Sequence, residues 1–222
     1  LEQPHQFEDS QVLVTQAGSQ ALFDYFATEI LQRADEDTQQ LLLKTAVLSE
    51  IEVKTAKELT GLSNASAILE KLIQRNYFTV KHGHSAPIYK FHPLFRAFLC
   101  AELKKCSSVD ELCTLQRRAA KILETDGHPN AAIALLHKAG DWESSIPILL
   151  KQAQQLITQG RGQTVAQWIE AYPEWVRDQT PWLLYWSGIC RLPLSPQEAR
   201  QLLEKAYTQF KEQQDIAGQF LS

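Results

Sequence analysis

The sequence predicts a mainly α protein, in which a winged-helix domain of helices plus a β-hairpin precedes an α-solenoid of helix pairs that resemble tetratricopeptide repeats. Helical hydrophobic patterns dominate up to residue 75, and two β-prone runs around a turn follow them. Beyond residue 108, every segment that can be assigned has a helical pattern. We therefore expect a lead-in segment at residues 1–18, a winged-helix domain at 19–107 and a helical-repeat arm at 108–222.

The first domain begins with two amphipathic helices and a helix-turn-helix. Ser19 is a suitable N-cap for a first helix, and a second helix is expected at 35–47, where acidic residues in the first turn favour it. Two short helices follow at 53–60 and 64–75, and Gly61 ends the first of them. Two short helices joined by a turn with Gly are the outline of a helix-turn-helix.

A hairpin and a further helix complete this domain. The runs 77–80 and 88–91 are β-prone and flank a turn with Gly and Pro, which predicts two strands. Pro93 then suits the first position of an amphipathic helix. Helices followed by a hairpin predict a winged helix.

The second half is predicted to consist of helices separated by turns that contain Gly or Pro. Helical patterns cover 109–124, 130–139, 142–158, 164–170, 181–190 and 196–213. Pairs of helices at this spacing resemble the tetratricopeptide unit of about 34 residues.

The composition argues against a membrane protein and against a protein that binds nucleic acid through a large basic field. The 222 residues carry 22 Lys and Arg against 26 Asp and Glu, a net charge of −4. No stretch approaches the ~20 apolar residues that cross a bilayer.

Four cysteines without C-x-x-C spacing predict buried free thiols in a reducing compartment, so we expect a cytoplasmic protein. Because the sequence contains no Met, we expect a piece of a longer protein.

A winged helix suggests DNA binding, and the helix at 64–75 would then enter the major groove. Its solvent face would present Lys71, Gln74 and Arg75 to bases or to a protein partner. Residues 1–107, however, carry 11 Lys and Arg against 13 Asp and Glu. Because non-specific affinity for DNA comes mainly from neutralised phosphates, we expect this domain to bind DNA poorly by itself.

The sequence contains none of the common catalytic motifs, such as the P-loop G-x-x-x-x-G-K-[ST] or the zinc motif H-E-x-x-H. His82 and His84 form an H-x-H in the predicted turn, but no Cys or carboxylate lies close by in the sequence to complete a metal site. We therefore expect no enzyme activity, no metal and no cofactor in this chain.

All five Trp residues lie in the second half of the chain. Clustered aromatic residues are typical both of helix-packing cores and of recognition surfaces. Packing between helices is the simpler interpretation, and Trp142, Trp168 and Trp186 are the candidates for a ligand or partner surface on the arm.

His92 lies between the second predicted strand and the helix that begins at Pro93. One interpretation is that it caps this helix and packs locally. The other is that an imidazole at an exposed helix start donates a hydrogen bond to an anion on a neighbouring domain. The residue types alone leave both interpretations open.

Four segments resemble a known family. The sequences LFDYF at 22–26, LLLKTA at 41–46 and YKFHPLF at 89–95 are similar to the winged-helix part of the large ATP-binding LuxR-type transcriptional regulators, which belong to the STAND class of signal-transducing ATPases. The sequence AGDWE at 139–143 resembles the opening of their helical sensor arm. The resemblance covers residues 20–222, and the His-Pro-Leu-Phe segment is its most specific part.

The resemblance implies a switch that uses ATP and ADP in the full-length protein. The winged helix would hold a preceding nucleotide-binding domain in its ADP-bound resting state, with His92 reaching the β-phosphate of ADP. The arm would sense a small-molecule inducer or a regulatory protein. A C-terminal LuxR-type domain would bind DNA, and self-association would accompany activation. Since this sequence contains neither the P-loop nor that DNA-binding domain, His92 would be one half of a site.

Two other interpretations remain open from the sequence. The chain could be a protein-interaction adaptor, in which a winged helix and a helical scaffold bind other proteins without nucleotide. Alternatively, it could be a DNA-binding winged helix with a dimerising helical tail.

Overall fold

The computed structural model describes residues 22–83 and 86–221. The predicted lead-in at 1–18, the N-cap at Ser19, and His84 lie outside the described residues. Within the described ranges the protein is mainly α, as predicted, and it divides into two compact units after Ala119. The predicted domain boundary, after residue 107, precedes this division. No helix in those ranges is long and apolar enough to cross a bilayer.

The first unit contains the helix-turn-helix and wing that the sequence predicts. Asp35 caps its second helix by accepting a hydrogen bond from the backbone N–H of Thr38 at 2.9 Å. Gly61 ends the third helix with a φ of 80°, a left-handed conformation that favours glycine. In chain order the elements are α1 (22–33), α2 (Glu36–Thr45), β1 (Ile51–Glu52), α3 (Val53–Thr60), α4 (Ala65–Gln74), β2 (Thr79–His82), β3 (Ile88–Phe91), α5 (Pro93–Cys106) and α6 (Val109–Thr125), which continues past the division.

The wing is a three-stranded antiparallel sheet in the order β1-β3-β2. Ile51 of β1 pairs with Tyr89 of β3, and both side chains are buried. The predicted two-stranded hairpin is therefore incomplete. With two residues, β1 is too short to leave an alternating pattern in the sequence.

The first strand of the hairpin is predicted to begin at residue 77, but β2 begins at Thr79. Tyr77 and Phe78 precede β2, and Phe78 has a φ of 45°, in the left-handed region that bulky residues rarely adopt. The centroid of its ring lies 4.8 Å from that of Phe23 on α1 and 5.6 Å from that of Phe95 on α5. Packing on both sides offsets the cost of this backbone conformation.

The second unit consists of helices, and α8 has the bounds that the sequence predicts. In chain order the helices are α7 (Pro129–Ala139), α8 (Trp142–Thr158), α9 (Gly162–Glu170), α10 (Glu174–Gln179), α11 (Pro181–Arg191), α12 (Pro196–Glu212) and α13 (Ile216–Leu221). The prediction lacks α10 and α13, because six residues are too few to show a helical period. The resemblance of these helices to tetratricopeptide repeats stays a prediction.

The helices α11 and α12 pack closely at Gly188. A Cβ on this glycine would lie 2.8 Å from Leu203 Cγ and 3.2 Å from the carbonyl oxygen of Ala199. Ala206 and Phe210 of α12 are fully buried in a cluster against which Leu203 packs. The small residue at 188 therefore sets how closely the two helices approach.

The four cysteines are free thiols, but they are less buried than predicted. Cys106 is exposed, and the others are half-buried. The thiol of Cys100 donates to the carbonyl oxygen of Ala46 at 3.3 Å, and that of Cys190 to the carbonyl oxygen of Gly162 at 3.4 Å. These two thiols therefore act as weak donors to backbone carbonyls.

An aromatic cluster packs α7 against α8 and the segment before α10. The ring of His137 lies 5.1 Å from Trp142 and 4.4 Å from Tyr172, between centroids. Tyr172 Oη and Ser145 Oγ are 2.8 Å apart, whereas His137 Nε2 is buried without a hydrogen-bond partner among the described residues. Burial lowers the pKa of His137 from the usual 6.5, because the charged ring would lose its hydration.

Gly188→Ala should lower the free energy of unfolding by about 1–3 kcal/mol, because the added Cβ overlaps Leu203 and crowds Ala199. Gly162→Ala is the control, since a Cβ there meets nothing within 4 Å. Urea denaturation followed by circular dichroism measures both variants. A Gly188→Ala protein as stable as the wild type would contradict the close packing of α11 against α12.

His137→Phe should make the protein less sensitive to acid. The folded ring binds a proton less readily than the ring in the unfolded chain. As the pH falls below 6.5, the unfolded state therefore takes up more protons, and the free energy of unfolding decreases from pH 6.5 down to the lowered pKa of the folded protein. Above pH 6.5 the contribution of the neutral ring is fully present. Thermal unfolding should show a larger loss of stability between neutral and acid pH in the wild type than in the variant. Equal losses would mean that His137 is not buried as a neutral ring.

Candidate functional site

His92 is the N-cap of α5, and Pro93 occupies the first helical position. The Nδ1 atom of its exposed imidazole accepts a hydrogen bond from the backbone N–H of Leu94 at 3.3 Å. In a neutral ring whose Nδ1 accepts, Nε2 carries the proton. One side chain can therefore cap the helix and present an N–H donor, so that the two interpretations of His92 are compatible.

The backbone of His92 is held on both sides. Its N–H donates to the carbonyl oxygen of Phe78 at 2.7 Å, and its carbonyl oxygen accepts from the N–H of Arg96 at 2.9 Å. Its ring centroid lies 6.4 Å from that of Phe23 on α1. These two backbone hydrogen bonds and the nearby ring of Phe23 thus help to hold His92 at the start of α5.

The start of α5 also favours negative charge. The aligned peptide dipoles of this 14-residue helix place a partial positive charge at its N-terminus. Pro93 has no N–H to offer there, and the N–H of Leu94 is already bonded to His92 Nδ1. The ring N–H of His92 is therefore a donor that this first turn can offer to an anion.

The α4 face that would contact DNA carries charged contacts within the first unit. Lys71 Nζ lies 3.3 Å from Asp35 Oδ2, at the start of α2. Glu70 forms an ion pair with Lys81 and accepts a hydrogen bond from the hydroxyl of Tyr89 at 2.6 Å. These two partners, Lys81 first, lower the pKa of the Glu70 carboxyl.

The surroundings of this face are acidic. A surface cavity of about 470 Å³ beside Lys71 is lined by Asp35, Glu36 and Asp37. Gln74 and Arg75 are exposed, and the Arg75 guanidinium lies 6.0 Å from the centroid of the Tyr77 ring. Three carboxylates beside the only basic residue of that cavity argue against a phosphate-binding face there.

The three Trp candidates of the arm lie on three different helices. Trp142 begins α8 and packs against His137, Trp168 lies on α9, and Trp186 lies on α11 with its ring 5.0 Å from that of Tyr185. All three are half-buried, and no ring contact joins them among the described residues. Packing accounts for Trp142 and Trp186, and a shared ligand surface of the three stays a prediction.

The sequence analysis missed a groove on the second unit. Its volume is about 660 Å³, and its lining, which contains none of the three Trp candidates, combines apolar Ile169, Leu184 and Leu202 with several charged residues. The charges come from α9 to α12, so that neighbouring sequence positions give no sign of them. The sequence pattern gives no sign of α10 either, because its six residues are too few to show a helical period.

The charges in this groove mostly pair with one another. Lys205 Nζ lies 2.8 Å from Asp178 Oδ1, and Arg191 lies 2.6 Å from Glu198. Arg177 also lines the groove, and its buried Nε has no hydrogen-bond partner in the part of the chain that the structure describes.

No metal-binding cluster is present in the described ranges. None of their groups of His, Cys, Asp and Glu brings three side chains together in a way that could hold a metal ion. His82 is exposed at the end of β2, and its predicted partner His84 lies outside those ranges.

Comparison with known proteins identifies the first unit. A family model described as the MalT winged helix domain matches residues 27–111, which include α2 to α5 and His92. The HTH-type transcriptional regulator MalT of Cronobacter sakazakii is 32% identical over 152 residues, which make up 68% of this chain and 17% of that relative. The chain thus spans a small part of the length of the relative. The chain is therefore a MalT-like regulator fragment, in which residues 27–111 match the MalT winged helix domain.

Proposed function

We propose that this chain is the regulatory middle segment of an ATP-dependent transcriptional activator of the LuxR family and STAND class. The winged helix holds a preceding nucleotide-binding domain in its ADP-bound resting state, and the arm senses an inducer or a regulatory protein. ATP and ADP bind to the preceding domain, so that this chain performs no catalytic step itself. The observation that carries the proposal is the hydrogen bond from the N–H of Leu94 to His92 Nδ1, which leaves the proton of a neutral ring on Nε2 at the exposed start of α5.

The chemistry of ADP suits this donor. The β-phosphate carries negative charge and strong acceptor oxygens, and a helix start with a free N–H donor is a common site for such a group. A hydrogen bond to a charged acceptor contributes about 1.5–3 kcal/mol. One contact of this strength between two domains is enough to bias which arrangement predominates.

Exposed apolar side chains on α1 and at the start of α5 support a docked domain. Leu22, Tyr25 and Phe26 of α1 are exposed by 50–60%, and Leu94, next to His92, is exposed by 43%. The same helix α1 places Phe23 against His92. Apolar side chains around a polar contact are typical of protein interfaces.

The proposed switch is a competition between two binding energies. ADP favours the closed arrangement, because it contacts both its own domain and His92. A ligand that binds the arm more tightly in the open arrangement shifts the equilibrium the other way, and such couplings are typically 1–3 kcal/mol. The groove along α9 to α12 supports a sensing role, since its volume of about 660 Å³ lies in the range of small-molecule sites.

DNA contact belongs to a separate C-terminal domain in this proposal. The carboxylates beside Lys71 support that division, because they disfavour phosphate binding on α4. Self-association in the open arrangement would cluster the DNA-binding domains, and their affinity would rise through effective concentration.

His92→Asn in the full-length regulator should speed ADP release by about 10-fold or more, because one hydrogen bond to a charged phosphate is lost. Asparagine is a good N-cap, so the variant keeps α5 intact while its shorter side chain does not reach the position of Nε2. Basal transcription should rise with the release rate. Release of a fluorescent ADP analogue and reporter transcription are the two measurements.

His92→Ala and His82→Asn separate the possible causes. His92→Ala should release ADP equally fast and should also lose about 1 kcal/mol of stability with the cap. His82→Asn alters another exposed histidine of the same unit and should release ADP at the wild-type rate. Wild-type ADP release by His92→Asn, with a stability loss only in His92→Ala, would reduce His92 to a helix cap and would refute the proposal.

A further inference from the structure

The side chain of Arg96 connects the helix of His92 to the end of α2. Its Nε donates to the carbonyl oxygen of Ala46 at 2.9 Å, and one terminal nitrogen donates to the carbonyl oxygen of Val47 at 3.0 Å. Ala46 and Val47 follow α2 directly, and both are buried. Arg96 is one helical turn beyond His92, and the two residues share the first backbone hydrogen bond of α5.

The two carbonyl groups need these donors. The last carbonyl groups of a helix have no partner within the helix, and a buried carbonyl without a donor is costly. The guanidinium satisfies two successive carbonyls at once, and the thiol of Cys100 adds a weak second donor to Ala46 at 3.3 Å. Side chains of α5 therefore complete the C-terminus of α2.

We propose that Arg96 is a positioning residue for the phosphate contact of His92. This inference rests on the function proposed above. Arg96 does not touch the nucleotide, but it fixes the rotation and the axial position of α5 relative to α2. Because His92 lies at the first turn of α5, the rotation and axial position of this helix also determine where the imidazole lies.

The apolar packing of α5 restricts the position of this helix less narrowly than the two hydrogen bonds of Arg96 do. Phe95, Leu99 and Leu103 bury one face of α5, and burial of apolar surface has little directional preference. The two hydrogen bonds of Arg96, in contrast, require a specific distance and angle to each of two fixed carbonyls. A displacement of about 1 Å would break them and would also move His92 out of hydrogen-bond reach of an anion.

Lysine is not an adequate substitute at this position. The guanidinium is a planar fork with donors in fixed directions, whereas the ammonium group of lysine is a single point at the end of a flexible stem. Arg96→Lys keeps the charge and one donor but loses the simultaneous contact to Ala46 and Val47. Arg96→Lys therefore tests whether the exact position of α5 matters while a cationic donor remains at residue 96.

Arg96→Lys should speed release of the fluorescent ADP analogue from the full-length regulator by about 3- to 10-fold, the effect of weakening one hydrogen bond. Arg118→Lys is the matched control. Arg118 also donates from its guanidinium to a backbone carbonyl of the first unit, that of Glu58. The Arg118→Lys protein should release ADP at the wild-type rate. Circular dichroism and thermal unfolding confirm that each variant is folded, and Arg96→Gln replaces Arg96→Lys if the latter does not fold.

The double variant Arg96→Lys/His92→Asn distinguishes positioning from a general structural defect. If Arg96 acts through His92, the double variant should release ADP no faster than His92→Asn alone. Multiplied effects of the two substitutions would overturn the inference, because Arg96 would then act independently of His92. If the folded Arg96 variant releases ADP at the wild-type rate while His92→Asn releases it fast, the positioning role of Arg96 is refuted and the proposed function is not. A wild-type rate for His92→Asn would refute the proposed function itself.

Discussion

Every helix start leaves backbone N–H groups without partners, and at α5 the imidazole of His92 meets this requirement with only one of its two nitrogens. Nδ1 accepts from Leu94, which fixes the ring and leaves the proton on Nε2. A residue that only capped the helix could have been Ser or Asp, but neither would extend a second, donating group away from the helix. The dual use of one ring connects the fold of the winged helix to its proposed contact with nucleotide.

The rest of the first unit keeps this ring in place by two kinds of force. The aromatic packing of Phe23, Phe78 and Phe95 holds Phe78 in a left-handed conformation, from which its carbonyl accepts the N–H of His92. The fork of Arg96 ties the same helix to the end of α2. Apolar burial supplies most of the stability of such a unit, whereas directional bonds, in our proposal, set the position of the donor atom of His92.

The sequence was sufficient where a residue type has a strong local preference. Pro93 and Gly61 mark a helix start and a helix end, and the apolar period of α8 predicts its bounds correctly. It was insufficient where a contact joins distant segments or where an element is short. The strand β1 and the helix α10 are too short for a period, and the contact of Arg96 with Ala46 spans 50 positions. His92 is a candidate from the sequence, but its two interpretations become compatible only once Nδ1 is known to accept the cap hydrogen bond.

The distance from His92 Nε2 to the nearest phosphate oxygen, in an experimental structure of the full-length regulator with ADP, tests the central claim most directly. A charge-assisted hydrogen bond predicts about 2.7–2.9 Å, with Nδ1 still accepting from the N–H of Leu94. A distance beyond about 3.5 Å without a bridging water would contradict the account. So would a ring turned so that Nδ1 faces the phosphate, because the same nitrogen would then no longer cap α5.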